Sequence, residues 1–182
     1  MKVTLREDLD QDTDFYYDHQ FEIYHEPYLI WDKETWETVL TTCQVYRIEV
    51  DPAPRAGTGG STECGVNGQY AGDVILEDKG KDTKYIVDFS VLPEYQGKGI
   101  GKAVLEQVKK MGWKLKAVTR KETLDFFLKS GFDLKKTIKN YYHPGVDGYY
   151  IVFYNKSPLP WRLCRNRKEV GKNETNSRIP KL

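Results

Sequence analysis

The run Gln96-Gly-Lys-Gly-Ile-Gly-Lys102 places three glycines at alternate positions between an apolar segment and an amphipathic one. Glycine lets a backbone turn so that N–H groups converge, with no side chain to screen them from an oxyanion. A helix opening directly afterwards adds the positive end of its dipole, and Lys98 and Lys102 add charge from the sides. These residue types suit the capture of a pyrophosphate. Two familiar phosphate loops do not describe them. A P-loop needs GxxxxGK followed by Ser or Thr, whereas Gln96 stands at the first glycine position here and Ala103 follows Lys102. A dinucleotide fingerprint needs GxGxxG, and its last position is Lys102 counted from Gly97, or Val104 counted from Gly99. The second chemical feature is Asp88, a carboxylate inside the apolar run Tyr85-Ile-Val-Asp-Phe-Ser-Val91. Burying it unpaired is costly, and partial burial raises a carboxyl toward the range of a working base.

The elements that must position these groups follow from periodicity and punctuation. Residues 2–7 alternate as a short strand. Between Asp10 and His25, Tyr17, Phe21 and Tyr24 share one helical face. Asp32 caps a second helix through Leu40, with Trp36, Val39 and Leu40 on its apolar side. Residues 43–50, 70–78 and 84–92 read as strands, the last two joined by a turn at 79–82, while the Pro- and Gly-rich stretch 51–69 reads as a loop. After the glycines, Ile100, Val104, Val108 and Met111 form one helical stripe, and residues 115–118 a short strand. Thr119 and Glu122 have the spacing of a capping box. The helix that follows turns Leu124, Phe127 and Leu128 inward and stops at Gly131. Two strands, 132–138 and 149–154, flank the loop Asn140–Gly148. The resulting order is β-α-α-β-β-β-α-β-α-β-β, an α/β chain with a mixed sheet.

Composition narrows the class. With 182 residues, 39% hydrophobic and 30% charged, the chain suits a single globular domain over 1–154 and a basic tail over 155–182. No apolar run approaches the roughly 20 residues that span a bilayer, and the N-terminus has no signal-type segment, which points to the cytoplasm. Cys43, Cys64 and Cys164 are far apart and odd in number, against both a disulfide framework and a CxxC metal site. The net charge of +1 hides an asymmetry: the tail carries eight Lys/Arg against two Glu, and residues 1–40 carry eleven acids against three bases. An acidic body argues against a nucleic-acid binder, leaving only the tail as a segment that could touch phosphates.

The stretch Ile86-Val-Asp-Phe-Ser-Val-Leu-Pro-Glu-Tyr-Gln-Gly-Lys-Gly-Ile-Gly-Lys102 resembles the cofactor motif of the GNAT superfamily of N-acetyltransferases, Q/R-x-x-G-x-G/A after a strand ending V-x-P. Phe126-Phe-Leu-Lys-Ser-Gly-Phe132 is similar to that family's later motif, an aromatic pair followed by x-x-x-Gly-Phe. The resemblance covers nearly everything except the tail. It implies acetyl-CoA as cosubstrate, no metal, and a primary amine as acceptor. The backbone from Gln96 through Gly97, Lys98, Gly99, Ile100, Gly101 and Lys102 would cradle the pyrophosphate. The backbone groups of Phe89 and Val91 would bind the pantetheine arm, and the Val91 amide would also hold the oxyanion. Arg120 stands where many members have an Asn contacting CoA.

Two proton transfers are needed. Asp88 is the expected base, at a position where many members carry an acid. The second residue of the aromatic pair, a Tyr acid in many members, is Phe127 here. It can pack on the CoA arm but cannot donate a proton, so Tyr142 in the loop Tyr141-Tyr142-His143 is the candidate acid. His19 and His25 read as surface residues. The acids Asp10, Asp12, Asp14, Asp18, Glu22, Glu26, Glu34 and Glu37, interleaved with Tyr16, Tyr24, Tyr28, Trp31 and Trp36, would steer a cationic small molecule or peptide. The alternative from another class is a GNAT-like module that binds CoA or acyl-CoA without turnover, which Phe127 favours. A third reading joins an acetyltransferase to a nucleic-acid-contacting tail. Many members dimerise, so the resemblance leaves a homodimer open.

Overall fold

The computed structural model describes residues 2–51 and 68–155. The element order is β1 (Val3–Glu7), α1 (Thr13–Ile23), α2 (Lys33–Thr42), β2 (Gln44–Val50), β3 (Gln69–Asp78), β4 (Thr83–Val91), α3 (Ile100–Lys110), β5 (Lys114–Thr119), α4 (Lys121–Lys129), β6 (Asp133–His143) and β7 (Val146–Phe153), with 3₁₀ turns at Pro27–Leu29 and Pro93–Tyr95. This is the order expected from the sequence. Most of residues 51–69, the basic tail beyond 155, and Cys64 and Cys164 lie outside the described residues. No described helix is long and apolar enough to cross a membrane.

Seven strands form one sheet in the order β1-β2-β3-β4-β5-β7-β6. Every neighbouring pair is antiparallel except β4 and β5, which the α3 crossover joins. The stripe of α3 packs Ile100, Val104, Leu105 and Val108 with Phe127 and Phe132 against one face of the sheet. On the other face Tyr16, Trp36 and Leu40 of α1 and α2 cover Val45 and Ile75. Asp32 caps α2 by accepting from the Thr35 N–H at 2.8 Å, as its position predicts.

Four local expectations are corrected. The buried face of α1 is Tyr16 and Gln20, and Phe21 is exposed. Gln20 belongs inside because its amide clamps the connector to α2: Nε2 donates to the Trp31 carbonyl and Oε1 accepts from the Trp31 N–H, both at 2.9 Å. The Thr119 capping box does not form. Thr119 ends β5, its hydroxyl meets Thr123 Oγ1 at 2.6 Å, and Arg120 takes the cap position. Leu128 is more than a third exposed. Finally, Tyr141, Tyr142 and His143 belong to β6, whose pairing with β7 is irregular between Ile138 and His143. Asn140, with φ of 52°, sits inside that irregularity.

One glycine sets the spacing of the central strands. Gly72 has φ of 141°, and a Cβ there would stand 2.2 Å from the Ser90 carbonyl oxygen on β4. Gly72→Ala should therefore lower stability by at least about 2 kcal/mol, combining backbone strain with a clash against main chain. The urea midpoint of the variant measures it, and an unchanged midpoint would refute the close approach.

Candidate active site

The site begins where β4 leaves β5. The two strands pair from Thr83↔Lys114 to Ile86↔Ala117 and no further, while β4 stays on β3 as far as Val91. On the β3 side, Leu76 opposes Ile86 but Ile75 opposes Asp88, so Val87 is an extra residue. A bulge of this kind bends the strand and re-aims the side chains after it. Val87 packs with the Tyr16–Trp36 cluster, and Asp88 and Ser90 also line a crevice on that face. Phe89 and Val91 go to the α3 face. The Leu92 N–H donates to Ala71 O at 2.8 Å, so alternation along the strand turns the backbone groups of Val91 and Phe89 toward the opening. The Val91 carbonyl there accepts from Gln96 Nε2 at 2.8 Å.

The glycine loop closes one end of the opening. Gly97 and Gly99 have φ of 71° and 79°, and a Cβ on either would meet nothing within 4 Å. The turn thus needs glycine for its left-handed backbone, and it leaves an open concave face. Ile100, Gly101 and Lys102 form the first turn of α3, whose N–H groups have no partner within the helix. Ile100 is buried, so it can offer only backbone, and Lys98 and Lys102 are exposed. This arrangement fits an anionic group such as a pyrophosphate. Phe127, expected to pack on the CoA arm, lies beside Phe89 with ring centroids 6.0 Å apart. It is 5% exposed within the core, with ring centroids 5.1 Å from Phe126 and 5.2 Å from Phe132. Phe126, which the sequence reading passed over, reaches within 3.5 Å of where a Gly101 Cβ would be.

At the other side of β4 stands Asp88. Tyr24 Oη donates to its Oδ1 at 2.5 Å. Asp73 of β3 lies beside it, 3% exposed, with Oδ2 accepting from Tyr70 Oη at 2.8 Å and its N–H donating to Ser90 Oγ at 3.2 Å. Burial pushes both carboxyls up. The Asp88 charge pushes Asp73 further, well above the carboxylate range. For Asp88 the rise is opposed by the Tyr24 hydroxyl, the Asp73 carboxyl, the Phe89 N–H and the charge of Arg120. Burial and the Asp88 charge also push the Tyr24 hydroxyl well up, so it remains a donor. Asp73 and Tyr70 were not singled out from sequence, and Tyr24 was read only as a ring facing the acceptor. An Asp inside Ala71-Gly-Asp-Val-Ile-Leu76 carries the same signal as Asp88.

The remaining candidates lie around the acceptor end. Arg120 Nη1 donates to Glu26 Oε1 at 3.0 Å, an ion pair between the start of α4 and the connector after α1. Tyr142 Oη donates to the Val118 carbonyl at 2.9 Å, and burial holds that hydroxyl above its ordinary range. His143 is exposed and stacks on Tyr28 at 5.6 Å. His19 is half-buried, its Nδ1 2.8 Å from Phe15 O; His25 is exposed. Tyr16 and Trp36 are core residues, 1% and 3% exposed, and are unavailable to an acceptor. Tyr17, Phe21, Tyr24 and Trp31 instead line an open groove of about 510 Å³. Tyr24 is its partition from Asp88. Among the described residues no cluster of His, Cys, Asp and Glu is placed to hold a metal.

The buried charge of Asp88 has a stability signature. A carboxyl raised on folding leaves stability intact below the unfolded value near 4 and removes it as pH climbs through the folded one. Asp88→Asn keeps an acceptor for Tyr24 and drops the charge. It should raise Tm at neutral pH by about 2–4 °C per kcal/mol relieved, with the gain vanishing near pH 4. Thermal melts across that range measure it, and a variant less stable at neutral pH would contradict it.

Residues 62–134 match the family model of an acetyltransferase (GNAT) domain. An uncharacterized N-acetyltransferase of Staphylococcus saprophyticus is 39% identical over 57 residues, a match spanning 31% of this chain and 39% of that relative. The ribosomal-protein-S18-alanine N-acetyltransferase of Escherichia coli shares the fold with a TM-score of 0.62 at 19% identity, over 83% of this chain and 92% of that one. A GNAT family acetyltransferase of Elizabethkingia anophelis with acetyl-CoA bound gives 0.55 at 19% identity, over 82% and 96%. The matched stretch, the mixed seven-stranded sheet and the glycine loop agree: residues 62–134 are similar to a GNAT acetyltransferase domain, and the chain shares the fold of the acetyltransferases compared.

Proposed function

We propose that this protein is an acetyl-CoA-dependent N-acetyltransferase that moves the acetyl group to a primary amine of a cationic small molecule or peptide, by direct attack in a ternary complex. The observation that carries the reading is the opening between β4 and β5, with the anion cradle of Gln96–Lys102 at one end and Asp88 on the opposite face. The loop N–H groups would take the pyrophosphate, and the backbone of Phe89 and Val91 the pantetheine arm. The Val91 N–H would stabilise negative charge on the thioester oxygen. Asp88 would take one proton from the incoming ammonium. The amine nitrogen then bonds to the thioester carbon. As the C–S bond breaks, the second nitrogen proton passes to the leaving thiolate. This route needs no side-chain acid, consistent with Phe127 in the core and with the Tyr142 hydroxyl committed to Val118.

A binding-only module is the second reading, favoured by Phe127, and turnover separates the two. Isothermal titration should show acetyl-CoA binding to the wild type and none to Gly99→Asp, whose carboxylate would face the pyrophosphate; thermal melts establish that the variant folds. In an amine screen, Asp88→Asn should lower kcat/KM by about 10²–10⁴, the usual contribution of a positioned base. Binding without turnover of any amine would select the second reading. No binding by the wild type would dismiss both.

A further inference from the structure

We propose that Asp73 and Asp88 form a carboxyl pair holding one proton between them, carried by Asp73 and donated to Asp88, and that Asp73 is the positioning residue that keeps Asp88 the single negative charge facing the acceptor nitrogen. The pair itself stands on packing alone; its catalytic consequence rests on the acetyl transfer proposed above.

The decisive atom is Asp73 Oδ1. It is buried and receives no hydrogen bond from any N–H or O–H of the described residues. A carboxylate oxygen left so in an apolar layer is strongly disfavoured. Ser90 Oγ lines the same crevice as Asp73 and accepts from the Asp73 N–H, and its hydroxyl makes no hydrogen bond to Oδ1. Tyr70 Oη is engaged with Oδ2. The Trp36 indole N–H lines the same crevice and is itself without a partner, so it does not reach Oδ1. The crevice has no room for a water molecule. What remains is the Asp88 carboxyl, diagonal to Asp73 across the β3–β4 ladder and lining the same crevice. Two adjacent carboxylates cannot both ionise cheaply, and one proton resolves the clash.

The surroundings decide which residue carries it. Asp88 receives the Tyr24 hydroxyl on Oδ1 and feels the positive charge of Arg120, so it is the better place for the negative charge. Asp73 is the deeper of the two in the sheet and feels the Asp88 charge directly. The other groups facing the pair are Tyr16 and His19 from α1, Tyr70 and Ser90 from β3 and β4, and Arg47 of β2, which stands opposite Asp73 in the ladder and is paired with Asp8 at 2.9 Å. The chemical consequence balances simply. The pair enters with one proton and one negative charge, and one proton leaves the acceptor ammonium for Asp88. Both carboxyls are then neutral as the free amine attacks, and Asp88 returns its proton to water after the products depart.

The pair predicts a different outcome for two substitutions at one position. Asp73→Asn keeps a donor toward Asp88, whereas Asp73→Leu removes it. With ¹³Cγ-labelled aspartate in the full chain, NMR titration should show one carboxyl still protonated at neutral pH in the wild type, and none in Asp73→Asn. In the pH profile of kcat/KM, the acid limb should stay in place for Asp73→Asn. It should move up by about one pH unit for Asp73→Leu, the loss of one hydrogen bond to a charged group. A purely structural Asp73 would change stability and leave the limb fixed. Absence of a protonated carboxyl at neutral pH in the wild type would overturn the pair. An unmoved limb in Asp73→Leu would overturn the positioning role. A protonated carboxyl in a chain that acetylates nothing would uphold the pair and remove only the acetyltransferase reading.

Discussion

Val87, the extra residue between Ile86 and Asp88, separates two strands that would otherwise stay paired. Before it, β4 lies between β3 and β5; after it, β4 follows β3 alone. Each partner is anchored independently. β5 continues on β7 as far as Thr119↔Tyr149, and β4 is held to β3 by the Leu92–Ala71 hydrogen bond and by the close passage of Gly72 beside Ser90. With both neighbours fixed, the extra residue cannot relax by sliding, and the strands diverge. The divergence exposes backbone groups that a continuous sheet would consume. The phase shift turns Asp88 toward α1 rather than into the apolar face beneath α3. Cradle, opening and base thus depend on one irregularity.

The second consequence is electrostatic. An apolar layer gains about 25 cal/mol for each Å² of apolar surface it buries and gains nothing from carboxyls, yet Asp73 and Asp88 sit between the sheet and α1. The fold surrounds them with donors that lack charge of their own, the hydroxyls of Tyr24 and Tyr70, and keeps the neighbouring cations paired elsewhere, Arg120 with Glu26 and Arg47 with Asp8. A closer cation would quench the base. Fully apolar surroundings would hold it protonated. Hydroxyl donors leave Asp88 ionisable but elevated, which is the state a base acting on an ammonium group needs.

What could be read from sequence follows from how local each constraint is. The glycine loop was legible because Gly97 and Gly99 need a left-handed backbone that other residues disfavour, and α3 because its Ile100–Val104–Val108 stripe has one phase. Asp88 stood out as a charge within an apolar strand. The phase of α1 was misread because its inner face includes Gln20, whose burial depends on Trp31 eleven residues later. Thr119 could cap a helix or end a strand, and pairing with β7 chose the strand. Asp73 was overlooked because its meaning comes from a cross-strand neighbour fifteen positions away.

The acceptor side rests on a connector rather than on ladder hydrogen bonds, and its contacts differ in strength. At Trp31 the connector is held by two hydrogen bonds from a buried amide, which are expensive to leave unmade. At Tyr24 it is held by a short bond to a charged carboxylate, of the stronger charge-assisted kind. Between them the links are lighter. Glu26 is 43% exposed in its pair with Arg120, and such pairs are worth at most about 1 kcal/mol. The Tyr28–His143 stack lies at the surface, where an aromatic pair adds about 0.5–1.5 kcal/mol. The connector is therefore pinned at both ends and lightly held across residues 26–28, directly beside Arg120 and the end of β5. Shape at the acceptor end is set by the two firm points, Tyr24 on Asp88 and Trp31 on Gln20, and these same two rings wall the aromatic groove outside.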